Sequence, residues 1–238
     1  MKSRRLFQYL FIVVLSLTWL DGVIISHAQH DWEKSTYQRW GKDEVKAVLE
    51  ASPWSLTVKQ SVPIAPLMMG ADAPKFEGKI VFMLRSAMPV RQALLRRKQL
   101  EAKYDRMSET EKAEFDKKHN ALLDCPACAQ NYVVSVNSGN WIMSTNSFGQ
   151  KGKGSVYLAN EKGQRREAVH FAISNEKGVN EAYLFFPRLD DKGNPLLTPQ
   201  SQTLTLSLGI KSSSDILQLP EKVEFDATKL VRDGKVIF

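Results

Sequence analysis

The rhythm of apolar and polar positions changes along this chain, and each rhythm predicts a different element. Residues 41–54, GKDEVKAVLEASPW, place Val45, Val48 and Leu49 at i, i+3 and i+4, the spacing of one helix face. Asp43 and Glu44 suit the N-terminus of that helix and Pro53 stops it. Apolar runs between turn signals follow: LTVKQSV (56–62), the loose PIAPLMMGADAP (63–74) and KIVFMLRSA (79–87). The first and last of these predict strands.

Residues 89–123 change character. Pro89 is well placed to open a helix, and VRQALLRRKQLEAKY has strong helix formers and no glycine. Ser108-Glu-Thr-Glu111 is a capping box, in which the serine and Glu111 satisfy each other's orphan backbone N–H groups. It opens a second helix carrying Phe115, His119 and Leu122 on one face. The spacing thus predicts a helical hairpin with charged outer faces. Its seam (Leu94, Leu100, Tyr104, Met107) is too short and irregular for a coiled coil.

From Tyr132 onward the pattern is β. YVVSV, NWIMSTN, SVYLAN, AVHFAIS, EAYLFFPR, TLTLSLGI and KVEFDA are strand-length runs rich in β-branched and aromatic residues. Turn chemistry separates them: Ser138-Gly-Asn, Glu161-Lys-Gly, Glu176-Lys-Gly and Asp190-Asp-Lys-Gly-Asn-Pro. TLTLSLGI alternates strictly, so Leu204, Leu206, Leu208 and Ile210 should face inward. The expected fold is α+β: a mostly antiparallel β-sandwich, of which an immunoglobulin-like arrangement is one form, with an N-terminal helix and an inserted helical hairpin. Absence of βαβ alternation removes the doubly wound folds.

The N-terminus changes where this fold is expected to work. Lys2, Arg4 and Arg5 precede an apolar run, Leu6 to Leu20, and then Ser26-His27-Ala28. This is the layout of a secretory signal, which predicts cleavage after Ala28 and one mature domain over 29–238, with 89–123 as its insertion. No later segment is apolar and long enough to span a membrane as a helix, so the product is expected to be secreted or periplasmic. Cleavage removes three basic residues and Asp21, taking the net charge from +7 to +5. Both signs are mixed along the chain, unlike the basic stripe of a nucleic-acid binder, so no nucleic-acid partner is expected. The address suits another envelope protein or a cell-surface glycan as partner.

Cys125-Pro-Ala-Cys128 holds both cysteines of the chain. A redox centre needs its first cysteine at a helix N-terminus, whereas the pattern puts Cys125 after a helix C-terminus. Haem attachment needs histidine at 129, where alanine stands. Zinc held by Cys125, Cys128 and His119, with His170 or Asp124 as fourth ligand, is an alternative, although His119 shares its helix face with Phe115 and Leu122 and suits a packed core. The preferred reading is a short structural disulfide, as an oxidising compartment permits.

Other chemistry is thin, so no cofactor, metal or catalytic residue is expected. The mature histidines are His30, His119 and His170, and no G-x-S-x-G elbow occurs. GQKGKGS (149–155) lacks phosphate-loop spacing. Asp43-Glu44 and Asp190-Asp191 are explained as cap and turn residues. Trp32, Trp40 and Trp54 lie close together in sequence with Tyr37. They are either aromatic anchors of the core or a stacking platform for glycan.

WGKDEV (40–45), ASPW (51–54), FMLRSAMPVRQALLR (82–96), YVVSV, YLFFPR (183–188) and KVEFDATKLVRDGKVIF (222–238) resemble a family of uncharacterised bacterial secreted proteins. That resemblance implies an extracytoplasmic protein and carries no catalytic residues with it. Arg85, Arg91 and Arg188, which lie in these motifs, are candidates for an anion pocket; salt bridges within the fold are the plainer account. The sequence therefore points to a binding or structural module without catalysis.

Overall fold

A computed structural model describes residues 31–63, 75–138, 156–174, 181–208 and 219–237, all within one unit, Asp31–Phe238. The 1–28 segment, His30, NWIMSTN with Trp141, GQKGKGS and Ile210 lie outside the described residues.

Helix α1 (Lys42–Glu50) buries Val45, Val48 and Leu49, the face its periodicity predicts. Glu44 accepts from Gly41 N–H at 2.9 Å, so the Asp43-Glu44 pair does cap chemistry. The helix ends before Pro53, and Ser52 Oγ donates to Val48 O at 2.7 Å across its last turn. Strands β1 (Ser55–Pro63) and β2 (Lys75–Leu84) then pair antiparallel.

The insertion comes next. Helix α2 (Met88–Glu101) carries Pro89 in its first turn, where a missing N–H costs nothing. Helix α3 (Glu109–His119) opens on Ser108, whose backbone N–H donates to Glu111 at 2.7 Å. Tyr104 between them donates to Asp116 at 2.9 Å and packs on Phe115. Short helices α4 (Ala121–Asp124) and α5 (Pro126–Gln130) lead to β3 (Asn131–Asn137). Because β3 pairs antiparallel with β2, the helices are a true insertion between neighbouring strands. Ser86 clamps this junction: its Oγ accepts from Val133 N–H and its N–H donates to Val133 O.

Strands β4 (Tyr157–Asn160), β5 (Arg165–Glu167), β6 (His170–Ser174), β7 (Glu181–Pro187), β8 (Thr203–Ser207) and β9 (Lys222–Asp226) complete two antiparallel sheets. Their orders are β1-β2-β3-β7-β6 and β5-β4-β8-β9. A small ribbon, β10 (Val231–Arg232) with β11 (Lys235–Val236), closes the described chain.

Alternation drives the layering. Ala182, Leu184 and Phe186 of β7 are buried while Tyr183 and Phe185 face outward, and β9 buries Val223 and Phe225 between exposed neighbours. Leu204, Leu206 and Leu208 turn inward as their alternation predicts. Residues of both sheets join α1, α2 and the tryptophans in one hydrophobic core, so the chain is α+β with antiparallel, sandwich-like sheets.

Two local expectations need correction. β5, with sequence RRE, has no strand signal of its own and forms because the preceding turn returns it to β4. There Asn160 Oδ1 accepts from Lys162 N–H and Gln164 N–H, and Gly163 takes φ +75°, open to glycine without a Cβ penalty. Val169, part of the expected strand run AVHFAIS, instead precedes β6 and is 64% exposed. His170, the first residue of β6, is exposed and packs against Phe185.

Candidate functional site

The sequence candidates separate into a corner, a tryptophan cluster and isolated residues. At the corner Cys125 and Cys128 are joined as a disulfide, with Cys125 half-buried and Cys128 buried. Cys125 does not simply follow a helix: it ends α4 and also opens α5, because Pro126 suits a first helical position. The dipole argument against an acidic thiol at 125 therefore loses its one-sided force. In the disulfide neither sulfur is a thiolate, so the zinc alternative would require reduction first. His119, its third proposed ligand, instead stacks on Phe115 at 4.3 Å, and burial holds its pKa below the ordinary value. Among the described residues no group of three or more His, Cys, Asp or Glu side chains could hold a metal ion.

Arg91 and Arg188 meet at this corner and grip its backbone. Arg91 donates to Leu123 O at the end of α4. Arg188 Nε donates to Cys128 O at 2.8 Å, its own N–H bonds Gln130 O, and its guanidinium lies over the Tyr132 ring. Burial lowers both pKa values; Asp124 opposes this at Arg91, while Arg91 adds to the lowering at Arg188. Guanidinium groups do not deprotonate in folded proteins, so both stay charged at neutral pH. Arg85 lies elsewhere, 3.9 Å from Glu181 and over Tyr183. The three arginines therefore do not form one anion pocket. Arg85 fits the salt-bridge account, and the other two are anchored on carbonyls.

Trp32, Trp40 and Trp54 are 4%, 3% and 3% exposed. They pack edge to face on one another, and Trp40 Nε1 donates to Trp32 O at 3.0 Å. A flat stacking platform is thus corrected: no indole of the three offers an open face, because each one's apolar surface serves the core. Trp32, Tyr37 and Trp40 do wall a hollow of about 380 Å³ that also meets Gln38, Gln92 and Arg232.

A larger groove, about 500 Å³, runs between α1 and α2. Its apolar floor is Val45, Leu49 and Leu100. Lys42, Lys46, Arg97 and Lys103 stand around it with Glu50 and Glu101. Glu50 is engaged outside the groove by Lys79 at 2.6 Å. Among the described residues, none of those four cations forms a salt bridge or side-chain hydrogen bond. Arg96, one residue before Arg97, contrasts sharply: it donates to Trp40 O at 2.9 Å and forks onto Asp105 at 2.8 and 3.0 Å.

Lys103 follows the end of α2 with φ +58°, a left-handed conformation in which glycine is usual. Sequence reasoning missed this groove. Lys42/Lys46 beside Val45/Leu49 was a readable signal of a cation-flanked apolar face, but the apposition of Arg97 and Leu100 is a tertiary fact.

Among the described residues no helix is long and apolar enough to cross a membrane. No family model matches the chain, and no curated protein or solved structure shows significant similarity to it.

Proposed function

We propose that this chain is a secreted or periplasmic binding module, without catalysis of its own, that takes an elongated amphiphilic small molecule in the groove between α1 and α2. The groove itself carries the reading: about 500 Å³ of space with an apolar floor and charged walls, within the size and chemistry typical of small-molecule sites. Two further features support the address. The basic-then-apolar N-terminus has the layout of a secretory signal, and a disulfide persists best in an oxidising compartment.

Titration with 1-aminoanthracene, a neutral apolar fluorophore, tests the groove. One saturable site is expected, weakened by Leu100→Gln, which places an amide on the floor. Failure of the unaltered protein to bind would sink the reading. For the address, the intact mass of exported protein alkylated at harvest should begin at Gln29, two protons light and unmodified.

The hollow beside Trp32 and Trp40 favours a second reading, glycan binding. Tyr37, half-exposed on its wall, and the amides of Gln38 and Gln92 suit a polyhydroxylated ring. Quenching of tryptophan fluorescence by cell-wall glycan fragments would support it, and unchanged emission at saturating glycan would remove it.

A further inference from the structure

Resting on the groove as the binding site, we infer that its ligand is a single-chain anionic amphiphile, a long-chain carboxylate. The acyl chain lies on Val45, Leu49 and Leu100, and the head group is held among Lys42, Lys46, Arg97 and Lys103. Charge is the first argument. The walls bring four cations against two carboxylates, and Glu50 is already held by Lys79. A lone apolar chain would leave that cationic excess facing itself, whereas an anionic head compensates it.

Size is the second argument. A stable protein partner usually covers about 20–30 residues on each side, and nine residues line this groove. The space fits a small molecule rather than a partner helix. Arrangement is the third. Lys42 and Lys46 are four apart on α1 and so share one face, beside the inward pair Val45 and Leu49. Lys103 keeps a cation at the groove in a backbone conformation that favours glycine. Strain of this kind gathers at ligand-binding positions.

The test is calorimetric titration of the whole exported chain with dodecanoate, dodecanol and acetate, each below any micellar concentration. Dodecanoate should bind one to one and at least about tenfold tighter than dodecanol, a gap of one factor of ten in Kd. Acetate, lacking the chain, should not bind. Added salt should weaken the carboxylate more than the alcohol. Lys46→Glu with Arg97→Glu should reduce dodecanoate affinity by about tenfold or more and dodecanol affinity far less.

Equal affinity for acid and alcohol would overturn this inference while leaving the groove as a binding site. Carboxylate binding indifferent to the double charge reversal would also overturn it. Silence from both twelve-carbon ligands would remove the inference and the groove reading together.

Discussion

The disulfide corner and the α1–α2 groove both collect cationic side chains, yet they use them in opposite ways. At the corner Arg91 and Arg188 turn inward and donate to the carbonyls of Leu123 and Cys128, fastening α4 to α2 and α5 to the end of β7. In the groove Lys42, Lys46, Arg97 and Lys103 surround open apolar space. A guanidinium bonded to backbone is part of the scaffold. Cations that flank an apolar floor and stand outside any salt bridge are available to a ligand. The corner looks like chemistry in sequence and acts as a fastening; the groove has no motif and holds the better site.

The sharpest way to break this contrast lies in two adjacent arginines of α2. Arg96→Met removes the bond to Trp40 O and the fork onto Asp105. Losing such charged hydrogen bonds in a buried setting should cost about 3 kcal/mol, seen as a lower midpoint in urea. Arg97→Met should stay within about 0.5 kcal/mol, as expected of an exposed side chain outside any network. Similar losses from the two would erase the distinction between scaffold and groove cations.

Arg188→Met should cost about 2 kcal/mol, through the bond to Cys128 O and the contact with Tyr132. Arg91→Met should cost less, because it also removes an Nε that is buried without a hydrogen-bond partner. Thermal unfolding of the two variants side by side reads the order directly.

Replacing both Cys125 and Cys128 by serine opens only a very short loop. Chain entropy predicts a loss of at most about 2 kcal/mol. Hydrogen exchange should quicken over 121–131 and stay unchanged in α1 and in the first half of α2. Faster exchange across the groove would mean that corner and groove are one unit.

The smallest effect is one of pH. Burial and the bond to Asp116 raise the Tyr104 phenol to about 12. Its folded pKa lies above the unfolded value near 10, so its contribution is complete below about pH 10. That contribution fades as the pH rises through 12. Phenolate absorbance should show a late-titrating tyrosine that Asp116→Asn brings earlier.

Much of the fold could be read from local pattern because local physics decided it. Val45, Val48 and Leu49 have one reason to share a face, and Ser108 with Glu111 makes its cap from neighbours alone. The leucines of β8 show the same economy at period two. Other features failed to show for equally physical reasons. β5 depends on the Asn160 turn and on pairing with β4 rather than on its own residues. Whether Trp32 and Trp40 face solvent or core depends on what covers them, and that is Trp54 and the rest of the core. Pro126 did signal a new helix after Cys125, and attention to it would have placed the cysteine correctly. The groove needed two helices distant in sequence to meet.

The most direct test of cations held ready in the groove is an amide chemical-shift titration of the protein with dodecanoate. The account predicts saturable shifts confined to residues 42–50 and 97–103, with the signals of 121–132 and 188 unmoved. Shifts centred on the corner, or none that saturate, would contradict it.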